Sequence, residues 1–153
     1  MKRMSNLISE FLGEINPSDF YDRIRMQKLF YVFKYLDLLT KDYYYTWHLR
    51  GPYSTSVAKD YFDDFNSREV DIGLKNSDKL EFLKELDDDF FKSSDKMEIV
   101  ASILFICQDE GIDLNDTDKI TYRMDIKKPD FTKEQVLEVL SIAKKIDELK
   151  QQN

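Results

Sequence analysis

The sequence predicts a mainly α domain of the α+β type: a compact helical unit with a small β-hairpin or short sheet around residues 42–50. Three observations carry this reading. Apolar residues recur at helical spacing in successive stretches, several of them preceded by a capping residue. One segment, Asp42–Arg50, alternates aromatic residues as a strand does. Only four Gly and three Pro in 153 residues leave little for a loop-rich all-β fold. The whole of 1–153 reads as a single domain, with no internal repeat and no Gly/Ser/Pro linker.

Met4, Leu7, Ile8, Phe11, Leu12 and Ile15 share one helical face, and Asn16-Pro17-Ser18 ends that helix because proline disfavours the α conformation before it. A second helix is expected over Asp19–Leu39. Its apolar residues, Ile24, Leu29, Phe30, Val32, Phe33, Leu36 and Leu39, run around much of the circumference, which places it at the centre of the fold. The strand Asp42–Arg50 would put Tyr43, Tyr45, Trp47 and Leu49 on one face and Tyr44, Thr46, His48 and Arg50 on the other. Gly51-Pro52-Tyr53-Ser54 breaks it, with Ser54 as N-cap of a helix carrying Val57, Ala58, Tyr61, Phe62 and Phe65.

Glu69–Leu74 alternates and suits a short strand. Asp78 and Glu81 have capping-box spacing before Leu80, Leu83, Leu86 and Phe90; Asp95 and Glu98 repeat it before Ile99, Val100, Ile103, Leu104 and Cys107, with Gly111 as the stop. The segment Ile112–Ile126 suits a helix or a strand, and a helix capped by Thr117 is preferred. The last helix starts most clearly: Thr132 caps it, Gln135 completes the box, and Phe131 staples onto Val136.

Composition excludes much chemistry. One cysteine, Cys107, rules out an intramolecular disulfide and a Cys-cluster metal site, and one histidine, His48, rules out a two-His site. Cys107 shares an apolar helix face with Ile103 and Leu104, as a core residue does. The run Asp87-Asp88-Asp89 does not converge on a helix, and Asp113, Asp116 and Asp118 lack the glycine and terminal glutamate of an EF-hand loop. Walker, dinucleotide-binding, nucleophile-elbow and zincin motifs are absent. No catalytic residue, cofactor or metal is therefore expected, and the chain reads as non-enzymatic. No apolar run approaches membrane length and no signal peptide opens the chain, so no membrane association and a cytoplasmic location are expected.

The net charge of −7 is uneven. Residues 1–60 carry nine Lys/Arg against seven Asp/Glu, residues 61–118 six against seventeen, and residues 119–153 eight against six. The acidic middle opposes a polyanion, so tight sequence-independent nucleic-acid binding is not expected, even if Arg23, Arg25, Lys28, Lys34 and Arg50 gather into one patch.

The segment from Arg25 to Asp60 carries a further signal. Arg25-Met-Gln-Lys-Leu-Phe-Tyr, then Tyr45-Thr-Trp-His-Leu-Arg-Gly-Pro-Tyr-Ser54, then Val57-Ala-Lys-Asp60 resembles the YwgA-like proteins. Lys128-Pro129-Asp130-Phe131-Thr132 and the helix after it are similar to that family's C-terminal part. A more distant similarity is to the Panacea, or SocA-like, antitoxin domain, which shares the Lys-Leu helix and the Gly-Pro turn. The resemblance implies a mostly helical domain linked to toxin neutralisation, regulation or mobile elements.

The motif residues Lys28, Trp47, Arg50, Gly51, Pro52, Tyr53 and Ser54 thus form the candidate site. Two readings stay open: a strand-to-helix corner that defines the fold, or an interface built from its aromatics and Arg50. The function expected is a protein-binding regulatory module, antitoxin-like or tied to mobile elements or phage, with a protein partner. The alternative is a DNA-binding regulator of winged-helix type.

Overall fold

A computed structural model describes residues 3–152, the side chain of Asp88 excepted. The described residues form α1 (Met4–Leu12), α2 (Phe20–Tyr35), β1 (Thr46–His48), β2 (Gly51–Tyr53), α3 (Thr55–Phe65), α4 (Ser77–Lys84), α5 (Asp88–Lys92), α6 (Ser94–Glu110), α7 (Thr117–Lys127) and α8 (Lys133–Gln151). The mainly helical class with one small hairpin is what the sequence predicts.

Two helices share the centre. α2 packs against α6, and α6 packs in turn against α8. α2 is buried continuously from Met26 to Val32 and Phe33, and α6 from Met97 to Leu104. A helix covered on every side shows little amphipathic contrast. The remaining buried apolar side chains join these two in one continuous cluster. β2 lies against both α2 and α6.

Several element ends differ from the sequence reading. α1 stops at Leu12 with Gly13 at φ 75°, not at Ile15. α2 ends at Tyr35 rather than Leu39, because Leu36 leaves the helix and Asp37 takes a left-handed conformation at φ 57°. The hairpin sits at the expected place but is shorter. Tyr43 and Tyr45 are buried without belonging to a strand, and Leu49 lies in the turn, 86% exposed. Gly51-Pro52-Tyr53 does not break the strand; it is the second arm, paired antiparallel as Thr46↔Tyr53, Trp47↔Pro52 and His48↔Gly51. Pro52 fits there because a two-stranded ribbon has free edges.

The segment 69–74 contributes two isolated bridges, Arg3↔Asp71 and Leu39↔Leu74, in place of a strand. The helix expected over Leu80–Phe90 is divided into α4 and α5, and the N-cap of α4 is Asn76, in a left-handed conformation. Asp87 caps α5 by accepting from the Asp89 amide at 3.0 Å. Ser93, not Asp95, caps α6, and Asp116, not Thr117, caps α7. Ser54 caps α3 and Thr132 with Gln135 forms the capping box of α8, both as expected.

Candidate functional site

The hairpin and the start of α3 are clamped from below by side chains of α2. Gln27 brackets Ser54: its amide donates to the Ser54 carbonyl at 2.9 Å and its oxygen accepts from the Ser54 N–H at 3.0 Å. Its neighbour Lys28 donates from Nζ to the Pro52 carbonyl at 2.6 Å. Lys128, just after α7, donates to the Leu49 carbonyl at 2.7 Å. These three side chains satisfy carbonyls that a two-stranded ribbon leaves open, and all three are buried.

Gly51 sits where this clamp is tightest. Its φ is +88°, and a Cβ added there would lie 2.6 Å from Ser102 Oγ. Both the backbone conformation and the space call for glycine. Ser102 Oγ is buried and has no hydrogen-bond partner among the described residues.

Beneath the hairpin is a charge cluster. Glu98, 1% exposed, places Oε2 2.7 Å from Lys128 Nζ and Oε1 3.0 Å from Arg50 Nε. The Arg50 contact is an ion pair whose Nε is not aligned for a hydrogen bond. The Arg50 guanidinium also lies over the Phe20 ring, 5.3 Å from its centroid. Lys28, Arg50 and Lys128 thus surround one carboxylate. Burial pulls the Lys28 ammonium down to about 7; Glu98 opposes this, while Lys128 and Arg50 add to it.

Above the cluster opens a cleft of about 380 Å³ between α2, β2 and α3. Gln27 and Lys28 belong to its buried inner wall, with Ile24 and Tyr61 beside them; Phe20, Arg23, Arg50, Tyr53 and Phe62 reach toward solvent. Phe20 is 47% and Phe62 39% exposed, so the mouth presents apolar rings to water. Such a volume, mostly apolar with a few convergent polar groups, is typical of a ligand recess. Another recess, of about 390 Å³, is bordered by Asp118, Tyr122, Asp125 and Lys133 and has no buried charged side chain in its wall.

Of the candidate residues, Lys28, Arg50 and Tyr53 line the cleft. Gly51, Pro52 and Ser54 are buried backbone of the corner. Trp47 stands apart: its ring packs on Phe105 at 5.7 Å, with Lys127 Nζ 5.2 Å from its centroid. The five basic residues do not form one patch. Arg25 donates to the Phe91 and Leu12 carbonyls, Lys34 donates to the Tyr43 carbonyl, and Lys28 is buried.

Ser102 escaped the sequence reading, which took Glu98 for a capping residue and Lys128 for part of the C-terminal motif and placed neither at the corner. Glu98 carries no capping role; it is the buried counter-ion of the corner. Cys107 is buried, as expected, and burial pushes its thiol up to about 11. The His48 ring lies 5.0 Å from that of Tyr53, tilted by 50°, and contacts Thr46 Oγ1 at 2.9 Å. Among the described residues no group of three His, Cys, Asp or Glu side chains is arranged to hold a metal ion, and no helix is long and apolar enough to cross a membrane. Comparison of the chain with protein-family models, curated proteins and solved structures returns no match.

Proposed function

We propose that the protein is a binding module for another protein, and that the cleft beside the Gly51–Ser54 corner receives an apolar segment of that partner. The observation that carries this reading is the exposure of Phe20 and Phe62 at the mouth of a recess whose inner wall is held by buried hydrogen bonds. A rigid floor lowers the ordering cost of association, and aromatic and arginine side chains are the usual anchors of an interface. Tyr53, Arg23 and Arg50 supply the polar edge. The two earlier readings of the corner combine here: its backbone defines the fold, and its outward side chains make the surface.

The resemblance to the Panacea-like antitoxin domain supports the same reading and adds its regulatory colour: the partner is a toxin or a comparable regulated protein. No catalytic residue, cofactor or metal enters this function.

The test is photo-crosslinking in the native host, with the reactive residue placed at Phe62 or, as a control, at the exposed Phe82 of α4. The proposal expects one protein adduct from position 62 and none of that adduct from position 82. Equal labelling from both positions, or an adduct from 82 alone, contradicts it.

A further inference from the structure

The charge cluster beneath the cleft is unbalanced. Glu98 pairs with Lys128 and Arg50, which leaves Lys28 with a carbonyl as its hydrogen-bond acceptor and no carboxylate of its own. Arg23, on the same wall, donates to the Ser18 carbonyl at 2.9 Å. The cleft therefore carries a local positive surplus in a protein of net charge −7. A cationic recess on an acidic surface focuses field lines on an incoming anion.

We infer that the cleft takes an aromatic or large aliphatic group bearing a single carboxylate, with the charge seated toward Arg23, Lys28 and Arg50 and the apolar body between Phe20, Ile24 and Phe62. This rests on the protein-binding reading and names the chemistry of what binds: the C-terminal residue of the partner, or an acidic side chain next to an apolar one. A carboxylate carried on an apolar body offsets part of the positive surplus, and Phe20, Ile24, Tyr53, Tyr61 and Phe62 in the lining suit that body.

The bound anion also favours the charged form of Lys28. The charged groups that face it are Glu98 from α6, Lys128 from the end of α7 and Arg50 from the hairpin turn, with Arg23 and Tyr61 in the cleft wall. With its ammonium near 7 in the free protein, Lys28 gains a fraction of a proton when an anion arrives at neutral pH. Binding then takes up protons and weakens as the pH rises.

The experiment titrates the full chain with N-acetyl-phenylalanine, with its amide, and with the blocked dipeptide N-acetyl-aspartyl-phenylalanine amide. Calorimetry is run in two buffers of different ionisation enthalpy, and amide chemical shifts report the site. The acid should bind about tenfold more tightly than its amide, with proton uptake and with shifts at Phe20, Ile24 and Phe62. Arg23→Gln should remove most of that preference of acid over amide. Lys28→Met should abolish the proton uptake; Arg23→Gln, on a partly exposed side chain, keeps the test decisive if Lys28→Met does not fold. Tighter binding of the acid than of the dipeptide assigns the carboxylate to a chain terminus, and the reverse assigns it to a side chain; both support the inference. Equal affinity of acid and amide at the cleft overturns it while leaving the protein-binding reading intact. Binding of neither probe overturns it as well, and crosslinking from Phe62 then decides the protein-binding reading separately.

Discussion

Lys128 Nζ lies 2.7 Å from Glu98 Oε2, and neither side chain exposes more than 2% of its surface. The same ammonium donates to the Leu49 carbonyl, so one buried pair joins the end of α7, the second turn of α6 and the hairpin turn. Desolvating two charges is costly, and such a pair is stable only when its remaining valences are filled. Leu49 accepts from Lys128, while Glu98 Oε1 faces Arg50 Nε at 3.0 Å as an ion pair without an aligned hydrogen bond.

Glu98→Gln tests this pairing. The substitution keeps the shape but leaves Lys128 and Arg50 without their counter-charge. Breaking a buried pair by removing one partner costs roughly 3–5 kcal/mol, measured as a loss in urea unfolding. Lys128→Met combined with Glu98→Gln should cost less than the sum of the single changes. A Glu98→Gln loss below about 1 kcal/mol would show that the cluster is solvated.

Lys28 makes stability depend on pH. Unfolded, it holds its proton to 10.5; folded, it releases it near 7. Between those values the unfolded chain binds more protons, so this group's contribution rises with pH and is lost as the pH falls toward 7. Lys28→Met lacks the effect. Wild type should therefore gain on the variant by on the order of a few kcal/mol from about pH 7 to pH 10, read from denaturant midpoints. A difference that stays constant with pH would mean that Lys28 is charged and well paired throughout.

Gly51→Ala combines two penalties. The backbone conformation at φ +88° costs a side chain about 1–3 kcal/mol, and the overlap with Ser102 Oγ adds to it. Ser102→Ala removes the overlapping atom and an unpartnered hydroxyl, so alone it should be nearly neutral. In the double variant, the loss caused by Gly51→Ala should shrink but not vanish. Strict additivity in thermal unfolding would place the strain elsewhere.

Leu29 and Phe33 are fully buried on α2. Leu29→Ala or Phe33→Ala should each cost roughly 2–5 kcal/mol in equilibrium unfolding. A loss below about 1 kcal/mol at both would show that α2 is not part of the centre.

The sequence made the helices legible where local chemistry sets them. The Thr132–Gln135 box and the Ser54 cap are satisfied within four residues of chain, so their spacing reports them directly. Ser93-Ser94-Asp95 offers three capping side chains in a row, and spacing alone does not choose Ser93 among them. Glu98, inside α6, faces Lys128, thirty residues on, a pairing that no local pattern encodes. Lys28 did leave a trace: with Gln27 it interrupts the otherwise apolar run from Met26 to Phe33. Polar residues on a helix buried all round must find partners, and these two find the corner. The division of labour between Tyr53 and Trp47 was not legible, because period 2 separates faces without saying which face meets α6 and which meets the cleft.

The most direct measurement is the dissociation constant of the purified partner for wild type, Phe62→Asp and Phe82→Asp, with thermal unfolding recorded for each. Both rings are exposed, and only Phe62 borders the cleft. Phe62→Asp should weaken binding by about two orders of magnitude or more while its melting temperature stays close to wild type, and Phe82→Asp should bind as wild type does. Unchanged affinity in Phe62→Asp, with the fold intact, would contradict the assignment of the cleft as the binding surface.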